Sequence, residues 1–204
     1  MQSNGPDGRT FITNARRAQI VAATIETIAE VGYTRTSLAR IAVKLGISKG
    51  VISYHFAGKD DLFREVIVHV VEQARVYMVP RINAQSTGTG QLRAYIESNL
   101  EFIRDHPNHL IAVVEIARNA IARAGERPLQ GAVEANQGVR LLAQLLSRFQ
   151  ETGEFRRDFD PMTMAIAIRA AIDSVPPRLA IDPQLDIDHY AKEIATIFEL
   201  ATRA

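Results

Sequence analysis

Four residues, Leu45-Gly46-Ile47-Ser48, stand between two short segments of helical apolar spacing and leave room only for a tight turn. Gly46 can take the left-handed backbone that ends a helix. Ile47 can tuck beneath the turn, and the Ser48 hydroxyl can accept from the free N–H groups that open the next helix. Ala42, four residues before the glycine, lets that next helix cross close by at the steep angle of a helix-turn-helix. A chain with this joint is committed to two crossed helices there.

Elsewhere apolar residues also recur at helical spacing, and alternating runs joined by hairpin dipeptides are missing. The expected class is all-α, with about nine helices. The spacing predicts a first helix over 14–31, with Ile20, Thr24, Ile28 and Val31 along one face and Gly32 ending it. A second over 37–45 turns Leu38, Ile41, Ala42 and Leu45 inward, with Thr36 as its N-cap. The third, over 49–56, buries Ile52 and Phe56. It presents Lys49, Gly50, Val51, Ser53, Tyr54 and His55 outward, a mixture suited to base edges and phosphates. A long fourth helix, capped by Asp60, runs through Leu62, Phe63, Val66, Val70 and Ala74 to the neighbourhood of Pro80. Residues 86–90 read as a flexible connection. Further helices are placed over 91–105, 108–124, 129–152, 161–175 and 187–203, punctuated by Pro107, Pro128, Pro161, the Pro176-Pro177 pair and Pro183.

Charge divides the chain unevenly. Residues 1–60 carry eight basic and four acidic groups, a net +4, whereas the other 144 residues carry −3. A basic front on a near-neutral chain points that end toward a polyanion. With no Cys there is no disulfide framework, no thiolate nucleophile and no Cys-ligated metal. The polar start and the lack of any run of about 18 apolar residues lead us to expect a cytoplasmic protein without membrane contact.

The segment from Arg16 to Phe63 resembles the TetR family of one-component transcriptional regulators. The resemblance rests on Ala42-x3-Gly46-Ile47-Ser48 followed by Tyr54-His55-Phe56-x2-Lys59-x2-Leu62, behind a first helix ending in Val31-Gly32-Tyr33. It implies a tail over 1–12, a helix-turn-helix domain over 13–58 that binds an operator in double-stranded DNA, and a helical ligand-binding and dimerisation domain over 59–204. By the same resemblance Lys49, Gly50, Val51 and Ser53 face bases or adjoining backbone, while Ser37, Tyr54, His55 and Lys59 grip phosphates. Arg40 is added for its charge and outward position.

Behind the reading head, residues 162–172 are apolar on more than one side, and Tyr190, Ile194, Ile197, Phe198 and Ala201 repeat at helical spacing. A homodimer interface is therefore expected from Met164, Ile168, Ile172, Tyr190, Ile194, Ile197, Phe198 and Ala201. Polar groups set in apolar helices suggest an effector pocket lined by Asn99, Glu115, Asn119, Asn136, Arg140 and Arg169, walled by Phe102, Ile103 and Ile116. Arg169 with Asp173 also reads as a simple i, i+4 pair. The effector is an unidentified small molecule. No cofactor, catalytic group or metal is expected. The two imidazoles of His106-Pro107-Asn108-His109 read as a capping turn, since no carboxylate cluster lies beside them. An enzyme without a recognisable motif, or a helical adaptor that binds only protein, remains as the alternative. The adaptor leaves the outward Lys49, Tyr54, His55 and Lys59 unexplained.

Overall fold

A computed structural model describes the backbone over residues 6–124 and 130–204, and side chains over 12–119, 137–179 and 181–204. Among these residues it holds ten helices: α1 Pro6–Arg35, α2 Leu38–Leu45, α3 Lys49–His55, α4 Lys59–Asn83, α5 Gly88–Asp105, α6 Pro107–Ala124, α7 Gln130–Glu151, α8 Pro161–Asp173, α9 Val175–Ile181 and α10 Ile187–Thr202. The class is all-α, as expected. No described helix is long and apolar enough to cross a membrane.

Several boundaries depart from the sequence reading for local reasons. α1 begins at Pro6, inside the expected tail, because proline is tolerated in a first helical turn. It breaks at Gly32, where φ 79° and ψ 165° leave the helical region. Thr36 does not cap α2. Its hydroxyl is buried and donates to Gly32 O at 2.8 Å, while the Ser37 side chain caps by accepting from Arg40 N at 3.2 Å. α4 starts one residue earlier than expected, which places Asp60 and Asp61 in its first turn, where they meet the positive helix end. The segment expected to be a flexible connection instead opens α5: Thr87 Oγ1 accepts from Gly90 N at 3.0 Å, and Glu154 Oε2 accepts from Gly88 N at 2.6 Å. The Pro176-Pro177 pair opens α9, a helix the sequence reading did not separate.

The chain forms two compact units, divided within α4 and again within α6. The first holds the residues up to Val70 and the part of α6 from Ile111. Its apolar core includes Ile20, Ile25, Ile28, Ile41, Ile52, Phe56, Leu62 and Val66. The hydroxyls of buried Thr24 and Thr27 fold back onto Ile20 O and Ala23 O, so neither is left without a partner.

The second unit holds Val71–Leu110 and the chain from α7 onward. One core joins Leu92, Ile96 and Leu100 of α5, Leu142, Leu146 and Phe149 of α7, Ile168 and Ile172 of α8, and Ala191 and Ala195 of α10. Polar clamps flank it. Arg93 Nη1 meets Glu97 at 2.9 Å, its Nη2 meets Glu199 at 2.5 Å, and Arg104 pairs with Asp188. α8 is capped by Asp160, which accepts from Thr163 N at 2.8 Å and Thr163 Oγ1 at 2.7 Å. Those bonds hold the Asp160 carboxyl below its ordinary range.

Two helical glycines should respond oppositely to alanine. At Gly88 a Cβ would sit 2.5 Å from Cγ of buried Phe149, so Gly88→Ala overpacks the core and should cost about 1–3 kcal/mol. At Gly138 nothing lies within 4 Å of the added Cβ, and Gly138→Ala should gain roughly 0.5–1 kcal/mol from helix propensity. Denaturant midpoints of both variants check this. Equal shifts would refute the packing of Gly88 on Phe149.

Candidate nucleic-acid interface

The interface is built on the turn between α2 and α3. Gly46 adopts φ 63° and ψ 31°, and its N–H donates to Val43 O at 3.1 Å while Ile47 N donates to Ala42 O at 3.0 Å. These bonds satisfy the last carbonyls of α2 and reverse the chain within two residues. Ile41, Ala42, Ile52 and Phe56 are buried behind the turn, which fixes the orientation of α3 on α2. Ser48 occupies the N-cap of α3, but its hydroxyl makes no capping bond. The backbone Ser48 O accepts from Val51 N at 3.1 Å instead.

Most of the expected DNA-facing residues are open to solvent. Ser37, Arg40, Lys49, Gly50, Ser53 and Tyr54 are exposed, and Val51 and His55 are half-buried. Tyr54 is 82% exposed, an unusual state for an aromatic side chain without a partner surface. The nearby cations Lys44 and Arg64 are instead paired with Glu30 and Asp61.

Lys59, expected at phosphates, makes contacts within the chain. Its ammonium donates to Tyr33 O at 2.9 Å and lies 4.4 Å from the Tyr33 ring centroid and 5.0 Å from that of Phe63. It ties the start of α4 to the end of α1.

Two contributors escaped the sequence reading. Arg17 of α1 donates to His55 O at 2.5 Å, stacks 4.4 Å above the Phe56 ring and pairs with Glu65 at 3.0 Å, closing the end of α3 against α1 and α4. The Arg16-Arg17 pair at the start of the predicted first helix was the available signal. Val43 is 81% exposed beside the turn, and its position outside the inward set of Leu38, Ile41, Ala42 and Leu45 marks it as outward.

The expected effector and dimer residues fall in both units. Asn99, Phe102 and Ile103 are buried on α5 in the second unit, whereas Ile116 is buried on α6 in the first. Glu115 Oε2 accepts from Tyr33 N at 3.2 Å, and Arg118 lies 3.8 Å from its other oxygen. Asn119 Nδ2 donates to Glu115 O at 2.8 Å. Arg140 is exposed, and the Asn136 side chain lies outside the described residues. Arg169 forms the bidentate i, i+4 pair with Asp173, at 3.0 and 2.5 Å. His106 closes α5 by its N–H to Phe102 O at 3.0 Å and stacks on the Phe102 ring at 4.4 Å, the capping role read from sequence.

For the dimer set, Ile168 and Ile172 are fully buried within the single chain and cannot face a partner. Met164, Tyr190, Ile194 and Phe198 are partly covered by the same core, and Ala201 is half-buried. Ile197 is 55% exposed. The outward apolar side chains of α8 and α10 are instead Met162, Ile166, Ile197 and Leu200.

With this geometry in place, comparisons with known proteins become informative. The sequence profile of bacterial regulatory proteins of the tetR family matches residues 20–66, which span the turn and both helices it joins. The HTH-type transcriptional regulator BetI of Cronobacter sakazakii (strain ATCC BAA-894) is 27% identical over 174 residues, covering 83% of this chain and 81% of that protein. A putative TetR-family transcriptional regulator from Rhodococcus sp. superposes with a TM-score of 0.78 at 19% identity, over 92% of this chain and 98% of its own. AibR, solved in complex with isovaleryl coenzyme A and operator DNA, gives a TM-score of 0.70 at 16% identity, over 89% and 97%. At such identities the structural likenesses speak for the fold.

Two lysines ten residues apart should behave differently when truncated. Lys49→Ala should change which duplex sequence is preferred, because Lys49 is exposed on α3. Lys59→Ala should cost about 1 kcal/mol, or roughly 2–4 °C in thermal midpoint, and leave the salt slope of DNA binding unchanged. A salt slope lower by about one counterion per chain in Lys59→Ala would return that residue to the phosphate contacts.

Proposed function

We propose that this chain, whose residues 20–66 match the profile of bacterial regulatory proteins of the tetR family and which is similar to BetI regulators, is a repressor that binds a near-palindromic operator as a homodimer through its amino-terminal helix-turn-helix and is released by a small-molecule effector. The observation that carries the DNA side is the exposed set Ser37, Arg40, Lys49, Ser53 and Tyr54 on a head held from behind by buried Ile41, Ala42, Ile52 and Phe56. Cations supply phosphate attraction, and the hydroxyls and the phenol supply hydrogen bonds to backbone and base edges.

Homodimerisation is supported by Met162 and Ile166 on α8 and by Ile197 and Leu200 on α10, at helical spacing and 39–65% exposed. A two-fold mate laying the same residues against them would remove these four side chains from water in a four-helix contact. Two-fold symmetry in turn requires operator half-sites about one helical turn apart.

The effector reading is supported by Asn99. Its side chain is 7% exposed and makes no hydrogen bond among the described residues, an unmet demand that a ligand with a polar group can satisfy. Phe102 and Ile103, on the same helix, supply apolar contact. Effector release then follows as a population shift: a ligand that prefers the arrangement unable to span successive grooves draws the protein away from DNA by its differential affinity. Isovaleryl coenzyme A, held by AibR, is one starting probe for a ligand of mixed polar and apolar character.

Selection from a random duplex library at two salt concentrations tests the operator reading. Enrichment of a palindrome whose retention falls steeply with salt is expected. Retention without an enriched motif would contradict it. Light scattering tests the dimer: the wild-type chain should be dimeric at micromolar concentration, and Ile166→Glu with Leu200→Glu should be monomeric and folded. A wild-type monomer would remove the symmetric mechanism.

A further inference from the structure

Tyr33 is held at both ends of its backbone by different helices. Gly32, at φ 79°, turns the chain out of the α1 ladder just before it. The Tyr33 N–H donates to Glu115 Oε2 of α6 at 3.2 Å, and the Tyr33 carbonyl accepts from Lys59 Nζ at the start of α4 at 2.9 Å. Its ring is 8% exposed and packs edge-on against Phe63 of α4, with centroids 5.0 Å apart. Three residues later Thr36 is buried, and Ser37 caps α2. The residue that fixes where α2 starts is thus gripped by a carboxylate of α6 and an ammonium of α4, all within the first unit.

We propose that Glu115 is a positioning residue for operator binding. It touches no DNA. It sets the direction in which the α2–α3 head leaves α1, by holding an amide that the break at Gly32 has released from helical bonding. A shift of α6 along or about its axis lengthens this bond and frees the Tyr33 amide, while Lys59 still holds the carbonyl. The head then pivots about Tyr33. A carboxylate suits the task because a hydrogen bond from a backbone N–H to a charged acceptor is stronger than one to a neutral acceptor, and Arg118, beside its second oxygen, leaves Oε2 for the amide. The inference rests on the DNA-binding reading above and adds to it a second route of control, through α6.

The test uses the full chain and the duplex that the wild-type protein enriches from a random library. Removing a negative charge from a DNA-binding head ordinarily strengthens attachment to phosphate. Glu115→Ala is expected to do the opposite, weakening operator affinity on the order of tenfold, with an unchanged salt slope and faster hydrogen exchange at the Tyr33 amide. Glu115→Gln keeps an acceptor for that amide and loses the charge, so its affinity should equal or exceed that of the wild type. Equal affinity in wild type and Glu115→Ala, with Tyr33 exchange accelerated, would overturn the positioning role alone. Parallel weakening in both variants would overturn it too, since charge rather than the bond would then be responsible. Failure of the wild-type chain to enrich any duplex would instead strike the operator reading.

Discussion

The two short helices α2 and α3 have too little apolar surface to stand alone, and the arrangement of the amino-terminal unit answers that shortage. α2 and α3 together supply few fully buried side chains, chiefly Ile41, Ala42 and Ile52. Below some forty residues a core is seldom sufficient without help from elsewhere. Here the help is Leu62, Phe63 and Val66 from α4, with Ala112 and Ile116 from α6 buried in the same unit. The head is therefore compact only with pieces of the helices that continue into the second unit.

That dependence places the boundary between units inside helices. The sequence reading drew it at residues 58 and 59, where Gly58 follows the reading helix and a new element begins. The compact units instead part at Val70 within α4, because the first three turns of that helix are core to what precedes them. The Arg17 and Lys59 contacts belong to the same logic. Arg17 joins α1 to the end of α3 and to Glu65 of α4, Lys59 joins the start of α4 to the end of α1, and each cation meets both a carbonyl and an aromatic face.

Much of this was legible in the residues. The turn at Gly46, the inward sets of the first three helices and the outward character of Lys49, Ser53 and Tyr54 follow from spacing and composition, which are local properties. What escaped depended on partners distant in the chain. Nothing near Glu115 announces that its carboxylate caps an amide 82 residues earlier. Nothing near Lys59 distinguishes an ammonium over two rings from one in solvent. Ile168 and Ile172 were assigned to a partner because α8 is apolar on several sides, and periodicity cannot say which side its own chain covers. Gly88 looked like a linker residue until Phe149 was seen to fill the space where its side chain would be.

The brevity of α3 sets a limit on information. Seven residues rise about 10 Å, the length of roughly three stacked base pairs at 3.4 Å each. On the proposed reading one head distinguishes on the order of 4³ words, and the proposed symmetric pair about 4⁶, a few thousand. A genome offers about a million competing sites or more. Direct reading by α3 falls short of a unique address by two or more orders of magnitude, so the remainder must be written in the stiffness and groove width of the DNA between and beside the contacted triplets.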